Sequence, residues 1–386
     1  EVNIAGDETG TPLSYFAPFA KGGRTMPGLE NSEPGEYLTD RLAAEAERFI
    51  ESHRSSPFFL YLPHYAVHTP MAARADLIAH YPEWDGTPHG RQENPIYAAM
   101  LESLDRAVGR VTETLARVGI ADRTIVIFTS DNGGLATREG PSTPATINAP
   151  LREGKGWLYE GGIRVPLIVR LPGRVTPGTE ETPVSLLDLM PTLLELCGLP
   201  AADPGMLDGV SLASLLTDRK PLAPRPLHWH YPHYSNQGGR PGGAIREGDW
   251  KLVRSDETGR LELFQLGRDR GESTNLAEKD PGKVRELASK LDSWRQSIGA
   301  RLPTTNPKYV PNPQAADGAI VLPASTAEVH GVMLRYEPLP HKNTLGYWVR
   351  PDDWASWEFE VSHPGDFDAE ADRKSTRLNS SHTVIS

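Results

Sequence analysis

Apolar side chains in the first part of the chain recur either at helical spacing or in short unbroken runs. Residues 37–52 and 95–118 carry them at intervals of three and four, which predicts two amphipathic helices. Residues 58–62 and 124–129 form continuous apolar runs, and we predict buried strands there. The second run, rich in β-branched residues, is typical of a central parallel strand covered on both faces. Helices that alternate with buried strands predict an α/β domain.

The pattern changes after the next two predicted elements, a short strand at residues 166–170 and a helix at 185–196 kinked by Pro191. Beyond residue 200, four strand-like segments follow one another through short Gly-containing turns, at residues 227–231, 244–247, 250–254 and 261–266. Such spacing predicts an antiparallel sheet, and the apolar stripe of residues 282–298 predicts a helix beside it. These elements together predict a smaller second subdomain.

Composition shifts divide the chain into five parts. We predict an α/β domain of residues 1–221, a subdomain of antiparallel sheet and helix at 222–301, a Pro-rich linker at 302–318 and an aromatic β-module at 319–371. Residues 372–386 form the last part. From Asp372 to His382 they match, codon by codon, the in-frame translation of a common sequencing adapter, and we expect that this tail is not natural protein.

Charge and composition exclude several classes of protein. The 386 residues are 38% hydrophobic and 24% charged, as in ordinary globular proteins, and the net charge of −11 disfavours nucleic acid as a partner. No apolar run approaches the roughly 20 residues that span a bilayer. The single cysteine, Cys197, excludes an internal disulfide framework. Since residue 1 is Glu rather than Met, the absence of a signal peptide says nothing about export.

Two polar segments place candidate functional side chains next to glycines. Asp131 and Asn132 follow the predicted strand 124–129 and precede two glycines, so they offer hard oxygen ligands to Ca²⁺ or Mg²⁺ at a strand end, where α/β sheets bind ligands. The alternative is a plain strand-terminating turn. Lys155 lies between Gly154 and Gly156, where its ammonium can bind an anion as a point charge, although a solvated loop lysine is the common case.

Two histidines, His64 and His68, follow the other predicted strand, at residues 58–62. A histidine at that edge can donate a hydrogen bond to an anion or protonate a leaving alkoxide. A lone histidine is usually structural, but two at one strand end favour a functional site.

Several motifs in this order resemble those of the sulfatases. They are His68-Thr69-Pro70, Thr129-Ser130-Asp131-Asn132-Gly133-Gly134, Gly154-Lys155-Gly156, Tyr159-Glu160-Gly161-Gly162, Asp188-Leu189-Met190-Pro191-Thr192, Leu207-Asp208-Gly209 and Glu262-Leu263-Phe264. The resemblance spans about residues 1–300. It implies an alkaline-phosphatase-like mixed sheet flanked by helices, hydrolysis of sulfate esters, a sulfated carbohydrate as partner, and export to the periplasm or beyond. The segment after residue 319 resembles the start of a β-sandwich appendage of some bacterial sulfatases.

The resemblance also implies roles for individual residues. Asp131 and Asn132 look like two ligands of Ca²⁺, Lys155 like the sulfate-binding lysine and His68 like the sulfate-contacting histidine. His64 is a candidate for the same cleft. The segment 228–239, which contains His230 and His233, resembles a substrate subsite, with a surface loop as the alternative.

One family motif is absent. Sulfatases use a formylglycine made from the first residue of C/S-x-P-S-R, and no such sequence occurs in the chain. Cys197 lacks that context, and we predict a packed thiol there. We therefore expect an N-terminally truncated sulfatase whose nucleophile and paired aspartates lie in a missing segment, and which is inactive as written. The alternatives are a phosphodiester or phosphonate monoester hydrolase of the same superfamily, or a non-catalytic carbohydrate-binding remnant.

Overall fold

Two units make up the chain in the computed structural model, Glu1–Pro303 and Thr304–Ser386. The structure describes residues 15–21, 24–83, 92–138, 143–203, 205–304, 312–330, 334–337, 343–348 and 351–371. The adapter-like tail and residues 305–311 of the predicted linker lie outside the described residues.

The described residues contain both helices and strands. The α-helices are α1 (Leu38–His53), α2 (Ala75–Ile78), α3 (Pro95–Arg117), α4 (Glu160–Ile163), α5 (Leu189–Leu196), α6 (Ala213–Asp218) and α7 (Pro281–Ser297). The strands are β1 (Ala20–Lys21), β2 (Arg24–Thr25), β3 (Val126–Thr129), β4 (Leu167–Arg170), β5 (Pro226–Tyr231), β6 (Gly242–Glu247), β7 (Trp250–Ser255), β8 (Leu261–Gln265), β9 (Asn312–Pro313), β10 (Glu328–His330), β11 (Arg335–Glu337), β12 (Thr344–Gly346), β13 (Trp354–Ser356) and β14 (Phe359–Glu360). None of the described helices combines the length and apolar character that crossing a bilayer requires.

The two long predicted helices are confirmed as α1 and α3, which pack against each other. Helix α3 starts where the side chain of Asn94 accepts hydrogen bonds from the backbone N–H groups of Ile96 and Tyr97, at 3.1 and 3.2 Å. Pro95 occupies the first turn, where its missing N–H has no helical acceptor. The helix ends before Gly119, whose φ of +74° favours glycine.

Strand β3 differs from the predicted central parallel strand. Its partner among the described residues is β4, which runs antiparallel with Thr129 opposite Leu167, and all four β3 residues are half-buried. The predicted direction was wrong because an apolar run reports which faces are covered, whereas the path of the chain decides how a neighbouring strand runs.

Residues 58–62 do not form the predicted buried strand. The backbone there pairs with no other described segment, and the side chains alternate between two environments. Phe58 and Leu60 pack against the cluster of Ile50, Leu115 and Ile120. Phe59 and Tyr61, by contrast, are each 76% exposed. A strand requires a hydrogen-bonded neighbour as well as an apolar sequence, and no described segment supplies one.

The segment around Pro191 also corrects two predictions. Residues Leu186–Asp188 form a 3₁₀ turn, and α5 begins at Leu189, so Pro191 lies in the first turn of α5 and needs no kink. Cys197 is exposed rather than packed. It follows the last buried residue of the helix, Leu196, and so falls just past the apolar stripe.

The antiparallel sheet after residue 222 is confirmed, with the strand order β5-β6-β7-β8. Helix α7 covers one face, where its Leu287 and Leu291 pack on Ile245, Leu252 and Leu263. The opposite face carries Ala244, Val253, Phe264 and Leu266 and packs against the segment 157–159. Because that segment directly follows Lys155, the sheet supports the loop that carries the lysine.

The second unit consists of short strand pairs. Strands β10 and β13 pair antiparallel, as do β11 and β12, whereas β9 and β14 pair in parallel. Strand β9 falls within the residues predicted as linker, so the β-structure of this unit starts earlier along the chain than residue 319.

A buried ion cluster ties the antiparallel sheet to α4. Lys251 of β7 is fully buried, and its Nζ lies 3.0 Å from Oε1 of Glu160 and 2.8 Å from Oε1 of Glu272. Glu272 also accepts a hydrogen bond of 2.6 Å from the backbone N–H of Glu160. Burial raises the pKa of Glu272, while the Lys251 ammonium opposes that rise. Removing one partner therefore leaves an uncompensated buried charge.

We predict that Lys251→Met lowers the free energy of unfolding by about 3–5 kcal/mol, because it removes the ammonium between two buried carboxylates and leaves Glu160, among the described residues, only the more distant Arg164 and Arg246, at 3.6 and 3.5 Å. Urea denaturation measures the effect. The control is Lys290→Met, which removes an ammonium that pairs with Glu247 and Glu286 at the surface and should change stability far less. Equal losses in the two variants would contradict the role of the cluster.

Candidate functional site

The loop that follows β3 presents two polar side chains at the end of the strand. Asp131 is exposed, and its Oδ1 accepts a hydrogen bond of 2.9 Å from the backbone N–H of Asn132. The Ser130 hydroxyl donates to the carbonyl of Asn132 at 3.0 Å. These local bonds turn the chain sharply, so that both side chains lie beyond the strand.

Two pairs of glycines hold this loop against α4. The N–H of Gly133 donates to the carbonyl of Gly162 at 2.9 Å. A Cβ on Gly133 would lie 1.7 Å from the carbonyl oxygen of Gly161, and one on Gly162 would lie 2.1 Å from that of Trp157. Glycine is therefore required at Gly133 for the approach of the loop to α4, and at Gly162 for the turn that leads from Trp157 into α4.

The lysine predicted to bind an anion lies beside the predicted histidine. Lys155 Nζ is 2.9 Å from Nε2 of His68. Nδ1 of His68 faces the carbonyl of Thr69, which only accepts, so we assign the imidazole proton to Nδ1. Nε2 therefore accepts a hydrogen bond from the Lys155 ammonium.

The histidine segment is fixed from the other side by Tyr15. Its hydroxyl lies 2.8 Å from the carbonyl of Tyr65 and 2.9 Å from that of His68. Burial raises the pKa of Tyr15, so the phenol keeps its proton as a donor. Tyr15 was not predicted as a site residue, and an isolated tyrosine in a Gly- and Pro-rich segment carries no sequence signal for the role.

Five predicted site residues share one cavity of about 2200 Å³, namely His64, His68, Asp131, Asn132 and Lys155. The structure therefore brings together the ends of two segments that are far apart in the sequence. It does not bring His230 and His233 to this cavity. His230 Nε2 lies 3.0 Å from the carbonyl of Arg301, and the His233 ring packs against Tyr231 at 5.5 Å between centroids.

Another part of the 228–239 segment does approach Lys155. Trp157 Nε1 donates to the carbonyl of Gln237 at 2.9 Å. A Cβ on Gly239 would lie 1.8 Å from the carbonyl oxygen of Gly156, so the loop contacts the glycine next to the lysine. The adjacent glycines 238 and 239 are the sequence signal for this close approach, whereas the prediction for this segment named its histidines.

His64 lies at the wall of the cavity in a mostly apolar setting. Its Nδ1 is shielded from solvent and has no hydrogen-bond partner among the described residues. Burial lowers the pKa of His64 to about 4, since desolvation penalises the imidazolium. The ring is therefore neutral at pH 7.

The donor set at the strand end suits a hard cation but is small. A carboxylate and an amide offer the oxygen ligands that Ca²⁺ prefers, whereas the ion takes 6–8 of them. Within the described part of the chain, no three His, Cys, Asp or Glu side chains are grouped closely enough to hold a metal. Asp131 and Asn132 thus offer the type of oxygen ligand that a hard cation prefers, but two ligands are too few to hold it.

Known protein families and solved structures resemble this chain. The sulfatase family model matches residues 6–199, and a model of the C-terminal part of N-sulphoglucosamine sulphohydrolase matches residues 154–297. A crystal structure of Ps i-CgsB in complex with k-i-k-neocarrahexaose matches with a TM-score of 0.56 and 29% identity, over 71% of this chain and 56% of that one. The fold is therefore the α/β fold of the alkaline-phosphatase-like hydrolases. Within that class, the chain belongs to the sulfatase family.

Curated relatives show the same similarity. A sulfatase of Formosa agariphila is 38% identical over 285 residues, which cover 67% of this chain and 50% of that protein. Human arylsulfatase A is 32% identical over 291 residues, which cover 69% of this chain and 52% of that protein. The chain thus spans about half the length of these relatives.

We predict that His64 makes stability fall as the pH drops from 6.5 to 4. Between these pH values His64 is protonated in the unfolded chain, where its pKa is the ordinary 6.5. In the folded chain it stays neutral until about pH 4. Stability is full above pH 6.5, and the loss amounts to at most about 3 kcal/mol.

Urea denaturation at pH 7 and pH 5 tests this expectation. His64→Gln, which cannot titrate, should show a smaller difference between the two pH values than the unsubstituted chain. The exposed His53→Gln serves as the control and should keep the original difference. An unaltered pH dependence in His64→Gln would refute the assignment.

Proposed function

We propose that this chain is part of an enzyme that hydrolyses sulfate esters of carbohydrates. The observation that carries the proposal is the 2.9 Å contact between Lys155 Nζ and His68 Nε2, in the same cavity as Asp131 and Asn132. The Lys155 ammonium and the His68 imidazole lie together, and Asp131 and Asn132 line the same cavity. A sulfate group bound there would be neutralised by the ammonium and, with a cation held by Asp131 and Asn132, by that cation as well.

Lys155 and His68 would have different roles, one in binding the sulfate and the other in proton transfer. The ammonium binds a sulfate oxygen as a point charge. His68, with its proton held at Nδ1 by the Thr69 carbonyl, presents a lone pair at Nε2. To protonate a leaving alkoxide, Nε2 must first gain a proton, and Lys155 must keep its own because its ammonium is assigned to the sulfate.

Asp131 and Asn132 would hold Ca²⁺ together with further oxygen ligands. The ion, when bound, would supply positive charge that polarises the sulfate.

The aldehyde nucleophile of the family has no counterpart among these residues. Cys197 lies at the exposed end of α5 and within the sequence Leu-Cys-Gly-Leu-Pro, which does not fit C/S-x-P-S-R. We therefore derive no step through a formylglycine on this chain, and we propose that it resides on a segment outside these residues.

A sulfated carbohydrate is the proposed substrate class. Support comes from the neocarrahexaose complex of the similar Ps i-CgsB and from the volume of about 2200 Å³ of the cavity that the site residues share. His64 at the cavity wall, and His230 and His233 on the antiparallel subdomain, remain proposed substrate contacts. Because such polymers occur outside the cytoplasm, we also propose export to the periplasm or beyond. A coding sequence that begins without a signal peptide would contradict export.

We predict that the chain as written turns over no aryl sulfate, even with Ca²⁺, since it carries no residue for the covalent step. A chimera tests the site. The N-terminal segment of a sulfatase relative, with its C-x-P-S-R motif matured to formylglycine, is placed before this chain. The chimera should hydrolyse 4-nitrophenyl sulfate, and Lys155→Ala should reduce kcat/KM at least about a hundredfold.

Lys220→Ala is the control, because that lysine is 70% exposed and its ammonium pairs with Asp218 at the surface. Turnover by the bare chain that Lys155→Ala abolishes would contradict the account of the nucleophile. A chimera that prefers a phosphodiester or phosphonate monoester would support the other hydrolase of the superfamily. A folded chimera without any activity would favour a carbohydrate-binding remnant, tested by binding to sulfated oligosaccharides.

A further inference from the structure

One asparagine outside the predicted site bonds to both loops that carry site residues. The amide oxygen of Asn148 accepts a hydrogen bond of 3.1 Å from the N–H of Gly134, and its Nδ2 donates at 2.9 Å to the carbonyl of the same glycine. Nδ2 also donates at 2.9 Å to the carbonyl of Glu153. The Asn148 side chain thus makes three hydrogen bonds to the backbone, one as acceptor and two as donor.

These bonds lie next to the site residues on each side. Gly134 is two residues after Asn132, and Glu153 is two residues before Lys155. The loops are also joined directly, since the N–H of Lys155 donates to the carbonyl of Gly134 at 3.1 Å. The Asn148 amide therefore bonds to both loops at the place where they meet.

The backbone held by Asn148 is strained on one side and tightly packed on the other. Glu153 has a φ of 58°, a left-handed conformation that a glutamate rarely adopts. A Cβ on Gly154 would lie 2.3 Å from the Gly134 carbonyl oxygen and 2.5 Å from Nδ2 of Asn148. Such a conformation persists only where its surroundings hold it, and the bond from Asn148 to the Glu153 carbonyl does so.

We propose that Asn148 is a positioning residue, which fixes Lys155 relative to Asp131 and Asn132 through its three backbone hydrogen bonds. The effect of Asn148 on catalysis rests on the proposed sulfatase function. The three hydrogen bonds by which Asn148 joins the two loops, here called the clasp, do not depend on that function. Asn148 itself need not contact the substrate. Its effect on the reaction comes from the placement of the lysine ammonium, where a misplacement of about 1 Å can cost a hundredfold in rate.

Asn148→Asp tests the clasp with almost no change in shape. The carboxylate still accepts from the Gly134 N–H, but it replaces the two donor contacts by repulsion with the carbonyl oxygens of Gly134 and Glu153. Asn275 is a matched control. Its Oδ1 only accepts, from the N–H groups of Leu263 and Ala277 at 3.0 and 2.9 Å, so Asn275→Asp preserves both bonds.

The first measurement is amide hydrogen exchange in the 386-residue chain, which needs no catalytic activity. In Asn148→Asp the N–H of Lys155 should exchange at least about tenfold faster, because repulsion displaces its acceptor, the Gly134 carbonyl, while the N–H groups of β6 and β7 stay unchanged. In Asn275→Asp, Lys155 should keep its rate. Unchanged exchange at the Lys155 amide in Asn148→Asp overturns the proposal. Equal acceleration across β6 and β7 overturns it as well, since Asn148 would then serve the stability of the whole fold.

The second measurement uses the chimera described above. Asn148→Asp should lower kcat for 4-nitrophenyl sulfate by about tenfold to a hundredfold with a smaller change in KM, because the lysine is displaced rather than removed. Asn275→Asp should leave both constants unaltered. If local exchange accelerates but kcat holds, the clasp exists without a positioning role and the proposal fails. An inactive chimera with accelerated local exchange refutes the sulfatase function but leaves the clasp standing.

Discussion

The approach of two glycine pairs is the constraint on which the site depends. Gly133 and Gly134 end the loop after β3, and Gly161 and Gly162 form the middle of α4. The distance of 1.7 Å from a Cβ on Gly133 to the Gly161 carbonyl oxygen means that any other residue would push the loops apart. Because the loop after β3 carries the proposed oxygen ligands and the segment before α4 carries the lysine, this backbone contact sets the distance between those ligands and the lysine.

Support for α4 comes from outside the α/β domain. The antiparallel sheet places the fully buried Lys251 between Glu160, the first residue of α4, and Glu272. The other face of the same sheet packs on the segment 157–159. The smaller subdomain therefore does more than extend the fold, because it contributes both a buried charge and an apolar surface to the segment that follows Lys155.

The histidine side of the site is built differently. The segment that contains His68 has no strand pairing among the described residues and is held by side chains, with the Tyr15 hydroxyl at the carbonyls of Tyr65 and His68. The imidazole is oriented by its neighbour Thr69 and meets Lys155 across the cavity. The lysine side is rigid through backbone contacts, whereas the histidine side relies on a few side-chain bonds. Motion in this site is therefore expected first on the histidine side.

The sequence by itself determined the elements and the residue types of the site. Apolar spacing located α1, α3, α7 and the four strands of the antiparallel sheet, because side-chain period and secondary structure are tied by local geometry. The ordered motifs identified Asp131, Asn132, Lys155 and His68 as candidates. Tertiary structure alone decided the direction of β3, the exposure of Cys197 and the half-exposed state of residues 58–62. It also decided the parts played by Tyr15, Asn148 and Lys251. Each of these depends on which atoms come near from distant parts of the chain, and local periodicity carries no record of such contacts.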